Sequence, residues 1–200
     1  LSRHGAKPAK SPANPPKGSN QLRIIGGTWR GRKLNFPDVD GLRPTGDRLR
    51  ETLFNWLAPD IQDARCLDLF AGSGALGLEA LSRGAAGCVF LERDPLAAKE
   101  LEKNLRLLNA TTGKLLLQDA LSWLKGIQGQ QFDLVFIDPP FQLALWQHSF
   151  DLLEDGNFLA EGALVYVECP KNTIYQVPES WSIHKEKITG SNIYRLFVKG

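Results

Sequence analysis

Arg65-Cys66-Leu67-Asp68-Leu69-Phe70-Ala71-Gly72-Ser73-Gly74-Ala75-Leu76-Gly77 is a short apolar strand that runs into a glycine-rich turn and then an amphipathic helical stretch to Arg83. Gly72 and Gly74 allow the backbone to turn sharply and approach a ligand closely, with a helix amino end just beyond. Gly72, Gly74 and Gly77 also satisfy G-x-G-x-x-G, the dinucleotide fingerprint. Alone, that pattern admits any nucleotide-like cofactor on a doubly wound sheet. From Ala64 onward, strand and helix patterns alternate, which is the signature of a parallel sheet.

Outward from this stretch, Gly87-Cys88-Val89-Phe90-Leu91 reads as the second strand and ends in Glu92. Lys114-Leu115-Leu116-Leu117 is the third and is followed by Gln118-Asp119-Ala120; Phe132 to Ile137 is the fourth and ends in Asp138-Pro139-Pro140-Phe141. Helices are expected over 75–83, 95–109, 120–126 and 142–154, with Leu101, Leu105 and Leu108 as the core stripe of the second. A fifth strand, Ala163–Glu168, is ended by Pro170. Trp181–Ile188 and Asn192–Val198 alternate around Thr189-Gly190-Ser191 as an antiparallel terminal hairpin. The expected fold is α/β, a doubly wound, Rossmann-like sheet of seven strands with a C-terminal antiparallel hairpin and a small N-terminal β-hairpin.

The acids at the strand ends carry the chemistry. Glu92 can accept from both hydroxyls of a ribose, which NAD and S-adenosylmethionine share, so it does not choose between them. Asp119 can accept from the amino group of an adenine. Asp138-Pro139-Pro140-Phe141 stands at the carboxyl edge, where doubly wound sheets bind ligands. Two prolines cannot continue a ladder or enter a helix interior. They stiffen a turn that presents a carboxylate, a carbonyl and a ring to one space, as an exocyclic amine on a flat base requires. A dehydrogenase has no use for that tetrapeptide there. The order of glycine loop and acids is that of amino-group methyltransferases.

Ile24-Ile25-Gly26-Gly27-Thr28-Trp29-Arg30-Gly31-Arg32-Lys33-Leu34 and Leu42-Arg43-Pro44-Thr45-Gly46-Asp47-Arg48-Leu49-Arg50-Glu51-Thr52-Leu53-Phe54-Asn55-Trp56-Leu57 add a further signal. With Asp68 to Gly77 and Asp138 to Phe141, they resemble the bacterial 16S rRNA guanine-N2 methyltransferase family known as RsmD, from about Gln21 to the C-terminus. The resemblance implies S-adenosylmethionine-dependent methylation of one guanine of small-subunit rRNA, usually counted as 966, during ribosome assembly. It implies Asp138, Pro139, Pro140 and Phe141 as catalytic residues. It implies Asp68, Phe70, Ala71, Gly72, Ser73, Gly74, Glu92, Arg93, Asp119 and Ala120 as cofactor-binding residues. Two other readings compete: an adenine-N6 methyltransferase on DNA or another RNA, and a non-catalytic RNA-binding assembly factor. The absence of a separate sequence-reading domain weighs against a selective DNA enzyme, and the intact site acids weigh against decay.

Charge is asymmetric. Residues 1–50 carry +8 and the remaining residues −6, within a net +2 over 200 residues. That split points to a polyanion contacted by one end of the molecule; the family resemblance implies that it is 16S rRNA or an assembling small subunit. Leu1–Asn20 has four prolines and four Lys or Arg without an acid, and is expected to be a disordered basic tail. Residues 21–45 are expected to form an RNA-binding hairpin and linker, with Leu22–Ile25 and Trp29–Leu34 as strands around Gly26-Gly27, and residues 46–200 the methyltransferase domain. Arg23, Trp29, Arg30, Arg32, Lys33, Arg43, Arg48 and Arg50 are the candidate RNA contacts. Trp29 reads equally as a base-stacking platform or as the hairpin's own anchor. Arg43, Arg48 and Arg50 read as phosphate or cofactor-carboxylate contacts, or as surface ion pairs.

Cys66, Cys88 and Cys169 lack C-x-x-C spacing and read as buried reduced thiols. The three histidines are scattered, so no metal site is expected. No run of about 18 apolar residues or secretory signal pattern is visible. A cytoplasmic monomer without a membrane or metal partner is expected.

Overall fold

A computed structural model describes residues 19–39, 46–127 and 129–200. The basic segment 1–18 and the linker around Arg43 lie outside the described residues. In chain order the elements are β1 (Ser19–Arg23), β2 (Lys33–Pro37), α1 (Asp47–Trp56), β3 (Arg65–Asp68), α2 (Ala75–Ser82), β4 (Gly87–Glu92) and α3 (Pro95–Leu107). They continue as β5 (Gly113–Leu117), α4 (Ala120–Gly126), β6 (Phe132–Ile137), α5 (Trp146–Asp155), β7 (Leu159–Pro170), β8 (Trp181–Thr189) and β9 (Asn192–Lys199). The main sheet has seven strands in the order β5-β4-β3-β6-β7-β9-β8. β3, β4, β5, β6 and β7 pair in parallel, and β9 runs antiparallel to both neighbours.

Strand alternation sorts the core into two layers. Cys66, Leu134, Phe136, Leu164 and Tyr166 pack with residues of α1, α2, α3 and the N-terminal hairpin. Leu67, Val135, Ile137, Val165 and Val167 pack against α4 and α5 through Trp123, Trp146 and Phe150. The expected stripe Leu101, Leu105 and Leu108 is buried in the first layer. Because β3 pairs with both β4 and β6, the winding reverses between β3 and β6. The carboxyl ends of those strands therefore form the crevice where such sheets bind ligands.

The N-terminal hairpin differs from its expected shape. β1 already begins at Ser19, so the last two residues of the expected tail are strand, and Arg23 pairs with Lys33. Trp29 to Arg32 is not strand but part of a long connection. Gly31 and Arg32 still bond across the hairpin to Ile24, while the backbone between Ile25 and Trp29 finds partners on α2. The N–H groups of Ile25 and Gly26 donate to the Glu79 carboxylate at 2.9 and 2.7 Å, Thr28 N–H donates to the Ser82 carbonyl at 2.7 Å, and Trp29 N–H to Ser82 Oγ at 2.9 Å. Gly27, at φ +74°, lies so close that an added Cβ would sit 1.8 Å from the Ser82 carbonyl oxygen. On the other strand the buried Asn104 amide donates to the Asn35 carbonyl at 2.8 Å. Leu22, Ile24, Leu34 and Phe36 join the first core layer, so the hairpin is packed into the domain rather than standing apart from it.

The helix expected over 142–154 starts at Trp146 instead. Phe141–Leu143 forms one 3-10 turn, and Ala144 takes a left-handed φ of +47° that interrupts helix propagation. Cys66, Cys88 and Cys169 are buried free thiols, and burial pushes Cys66 up to about 12. No helix among the described residues is long and apolar enough to cross a membrane.

Candidate active site

A cavity of about 890 Å³ opens over the carboxyl edge of the sheet, within the roughly 300–1,000 Å³ range of small-molecule sites. One wall is the turn after β3, from Asp68 to Ser73. Glu92, Arg93, Asp119 and Ala120 line the side of β4 and β5, and Asp138 to Phe141 line the side of β6. The structure thus brings together every expected cofactor and catalytic residue except Gly74, which acts one step behind the wall. Gly74 caps α2 at φ +78°, and a Cβ there would lie 2.4 Å from Leu101. Only glycine permits both the left-handed turn and this close approach.

Hydrogen bonds fix the acids on the glycine-loop side. Glu92 accepts from the N–H of Gly72 at 2.7 Å through one oxygen and from the N–H of Asp94 at 2.7 Å through the other. A carboxylate offers about four acceptor positions, so these bonds orient Glu92 and leave it capacity for ligand hydroxyls. Asp119 caps α4 by accepting from the N–H and hydroxyl of Ser122, both at 2.9 Å onto Oδ1. Asp68, at the tip of β3, is buried and accepts from the Gly77 N–H at 3.1 Å. Burial pushes its carboxyl up to about 7. The Gly77 bond pulls it back in part, and the neighbouring Glu92 charge adds to the rise.

The opposite wall carries the other acid and the aromatic. Pro140 precedes the 3-10 turn in an extended conformation, and Phe141 is left 36% exposed, with its ring centroid 6.0 Å from that of the buried Trp146. Sequence reading missed several residues that line the cavity: Asp38, Val39, Gly46, Leu49, Glu168, Asn192 and Tyr194. For Glu168 a signal was present. Like Asp138, it is an acid that follows an apolar run and stands shortly before a proline. Both carboxylates help push up the Tyr166 and Tyr194 hydroxyls, after burial itself, so both lie within electrostatic reach of the two rings.

The candidate RNA contacts fall into three groups. Arg23, Arg30, Arg32 and Lys33 are exposed around the hairpin connection, and Arg48 is exposed in the first turn of α1. Arg30, Arg32 and Lys33 do not border the cavity. The connection they flank is bonded to the carboxyl end of α2 at Ser82, while Arg32 Nη2 donates to the Leu107 carbonyl at the carboxyl end of α3, at 3.3 Å. The cavity is at the amino end of α2, a helix of eight residues or about 12 Å away. Trp29 is partly buried against the first core layer, which is the position of an anchor for the hairpin. Arg50 is fully buried, which corrects its reading as an RNA contact. Its Nη2 donates to Asp47 at 2.6 Å and to the Arg23 carbonyl at 2.8 Å, and its Nη1 faces Glu79 at 3.4 Å. Arg43 lies outside the described residues. Among the described residues no cluster of His, Cys, Asp and Glu could hold a metal ion.

Comparison with known proteins agrees with this geometry. Residues 22–198 match the family described as conserved hypothetical protein 95. The chain is 54% identical over 183 residues to the ribosomal RNA small subunit methyltransferase D of Escherichia coli K12, covering 91% of this chain and 92% of that one. It is 49% identical over 185 residues to the protein of the same name from Haemophilus influenzae, covering 91% and 96%. The solved structure of yhhF from Escherichia coli matches with a TM-score of 0.83 at 51% identity, covering 90% of this chain and 98% of that chain.

Proposed function

This chain belongs to the conserved hypothetical protein 95 family, the RsmD family, and from that premise we propose that it transfers a methyl group from S-adenosylmethionine to N2 of a guanine in 16S rRNA. The guanine is the one counted as 966, modified on the assembling small subunit. The observation that carries the reading is Asp138-Pro139-Pro140-Phe141 facing the Asp68–Ser73 turn across one cavity at the switch point of the sheet.

The residues present fit the cofactor. The backbone of Ala71, Gly72 and Ser73 lines the cavity, and Glu92 is oriented by Gly72 and Asp94 with acceptor capacity for the ribose hydroxyls. Asp119 binds its cap through Oδ1, leaving Oδ2 for an adenine amino group. When bound, S-adenosylmethionine supplies a methyl group already activated on a sulfonium. The protein's own work is therefore alignment and a local field.

Guanine N2 is a poor nucleophile because its lone pair is delocalised into the ring. The Asp138 carboxylate and the Pro139 carbonyl accept hydrogen bonds from the amine and favour a pyramidal nitrogen with its lone pair directed along the transfer line. Phe141 stacks on the extruded base. The proton released after transfer goes to Asp138 or to water, so no strong base is needed beforehand. Arg48 and the exposed hairpin arginines contact rRNA phosphates, which position the subunit without reading sequence. Nucleoside mass spectrometry of rRNA from a strain lacking this gene tests the proposal. The expected result is loss of one N2-methylguanine from 16S rRNA, restored by the gene on a plasmid. An unchanged nucleoside profile contradicts it.

A further inference from the structure

Resting on that reading, we infer that Glu168 is the residue that selects guanine over other bases, by accepting the N1–H next to the amine held by Asp138. β6 and β7 pair in parallel with Ile137 opposite Val167, so Asp138, just past the end of β6, and Glu168, two residues before the end of β7, stand at the same level. Neighbouring strands lie about 4.8 Å apart. N1 and N2 of guanine are adjacent donors on one edge, so two carboxylates that converge from neighbouring strands can each accept one of them.

Glu168 is held firmly. It is 8% exposed, its Oε2 lies 3.4 Å from the Tyr166 hydroxyl, and its own carbonyl accepts from Trp146 Nε1 at 2.8 Å. The same Trp146 ring packs beside Phe141, so the proposed stacking ring and the proposed reading acid share one buried support. Asn192 completes the row. The Ser191 hydroxyl donates to Asn192 Oδ1 at 3.2 Å, which turns the amide Nδ2 toward Glu168 Oε1 at 3.4 Å. Glu168, Asn192 and Asp138 all line the cavity.

The edge presented to a flipped base is thus acceptor at Asp138, acceptor at Glu168, donor at Asn192. Guanine offers the complement: N2–H, N1–H and the O6 acceptor. Adenine and 2-aminopurine place a lone pair at N1, which a carboxylate repels and desolvates without return. A site that reads an edge by hydrogen bonds discriminates more strongly than one that reads it by shape.

The test compares the full-length protein and Glu168→Gln on small subunits that carry either guanine or 2-aminopurine at the target position. 2-Aminopurine keeps the exocyclic amine but has an unprotonated N1. Wild type is expected to favour guanine in kcat/KM by at least about tenfold, the scale of one good base-edge contact. Glu168→Gln is expected to narrow that preference to within about threefold, because its amide N–H can face the N1 lone pair. Affinity for S-adenosylhomocysteine should not change. A variant that methylates guanine with undiminished preference overturns the inference and leaves the rRNA reading intact. A wild-type ratio near one overturns it whatever the variant does. No transfer to the guanine subunit by wild type overturns the rRNA reading itself, and this inference with it.

Discussion

Arg50 and Glu79 face each other at 3.4 Å with both side chains fully buried, and between them they join three parts of the chain. Glu79 also takes the N–H groups of Ile25 and Gly26 and the guanidinium of Arg83, while Arg50 holds the carbonyl of Arg23 and the carboxylate of Asp47. Removing one partner of such a buried pair strands the other charge, at a cost of about 3–5 kcal/mol. Glu79→Ala should therefore reduce the unfolding free energy in urea by that much and expose the hairpin connection to proteolysis first. A decrease under about 1 kcal/mol would mean that the pair is incidental to the docking.

The position of the basic connection separates binding from chemistry. Arg30, Arg32 and Lys33 stand at the carboxyl ends of α2 and α3, a helix length from the cavity. Neutralising all three should weaken subunit binding and flatten log affinity against log salt by roughly 0.7–0.9 for each phosphate no longer neutralised. The rate at saturating subunit should stay at the wild-type value, since uniform binding moves KM rather than kcat. Unchanged salt slopes would make the charge merely solubilising, and a reduced kcat would place the hairpin nearer the chemistry than the structure does.

Asp68 makes stability depend on pH in a definite direction. Burial pushes its carboxyl up to about 7 in the folded protein, against about 3.9 in an unfolded chain. Between these values the folded state keeps a proton that the unfolded state has released, so stability falls as pH rises and the decline is complete above about 7. Asp68→Asn can still accept from Gly77 but carries no charge. The stability difference, variant minus wild type, should grow by up to about 1.4 kcal/mol per pH unit between pH 4 and 7 and then level off. Parallel denaturation midpoints across that range would show that Asp68 is ionised throughout.

Local chemistry made most of the fold and cavity legible in the chain. The acids Asp68, Glu92, Asp119 and Asp138 follow apolar strands and precede turns or helix starts, a pattern that depends only on neighbours in sequence. Arg50 and Trp29 were not legible in that way. The buried carboxylate that faces Arg50 is Glu79, 29 residues away, and the partner of the Trp29 N–H is Ser82, 53 residues away. Nothing around an arginine on an amphipathic helix distinguishes a phosphate contact from a buried pair until the facing helix is in place. The late start of α5 was hidden for a related reason, since a left-handed Ala144 runs against alanine's helix preference.

Glu92 gives a direct test of cofactor identity. Calorimetry should show binding of S-adenosylmethionine or S-adenosylhomocysteine and none of NAD. Glu92→Ala should weaken the adenosyl ligands by about tenfold or more, since it removes a charged acceptor from two hydroxyls and releases the Gly72 N–H from its tie. NAD binding that Glu92→Ala abolishes would reverse the assignment.

Asp138 bears the heaviest part of the proposed chemistry, because its carboxylate is the group assigned to the reacting amine. Methyl transfer by Asp138→Ala should be followed in single turnovers, with saturating S-adenosylmethionine and undermethylated small subunits, alongside the affinity for S-adenosylhomocysteine. Removal of a preorganised polar group at the reacting amine predicts a rate lower by about 10²-fold or more, with cofactor affinity within about twofold of wild type. Turnover by this variant at close to the wild-type rate would contradict the proposed function, because the carboxylate at the end of β6 would then have no part in the transfer.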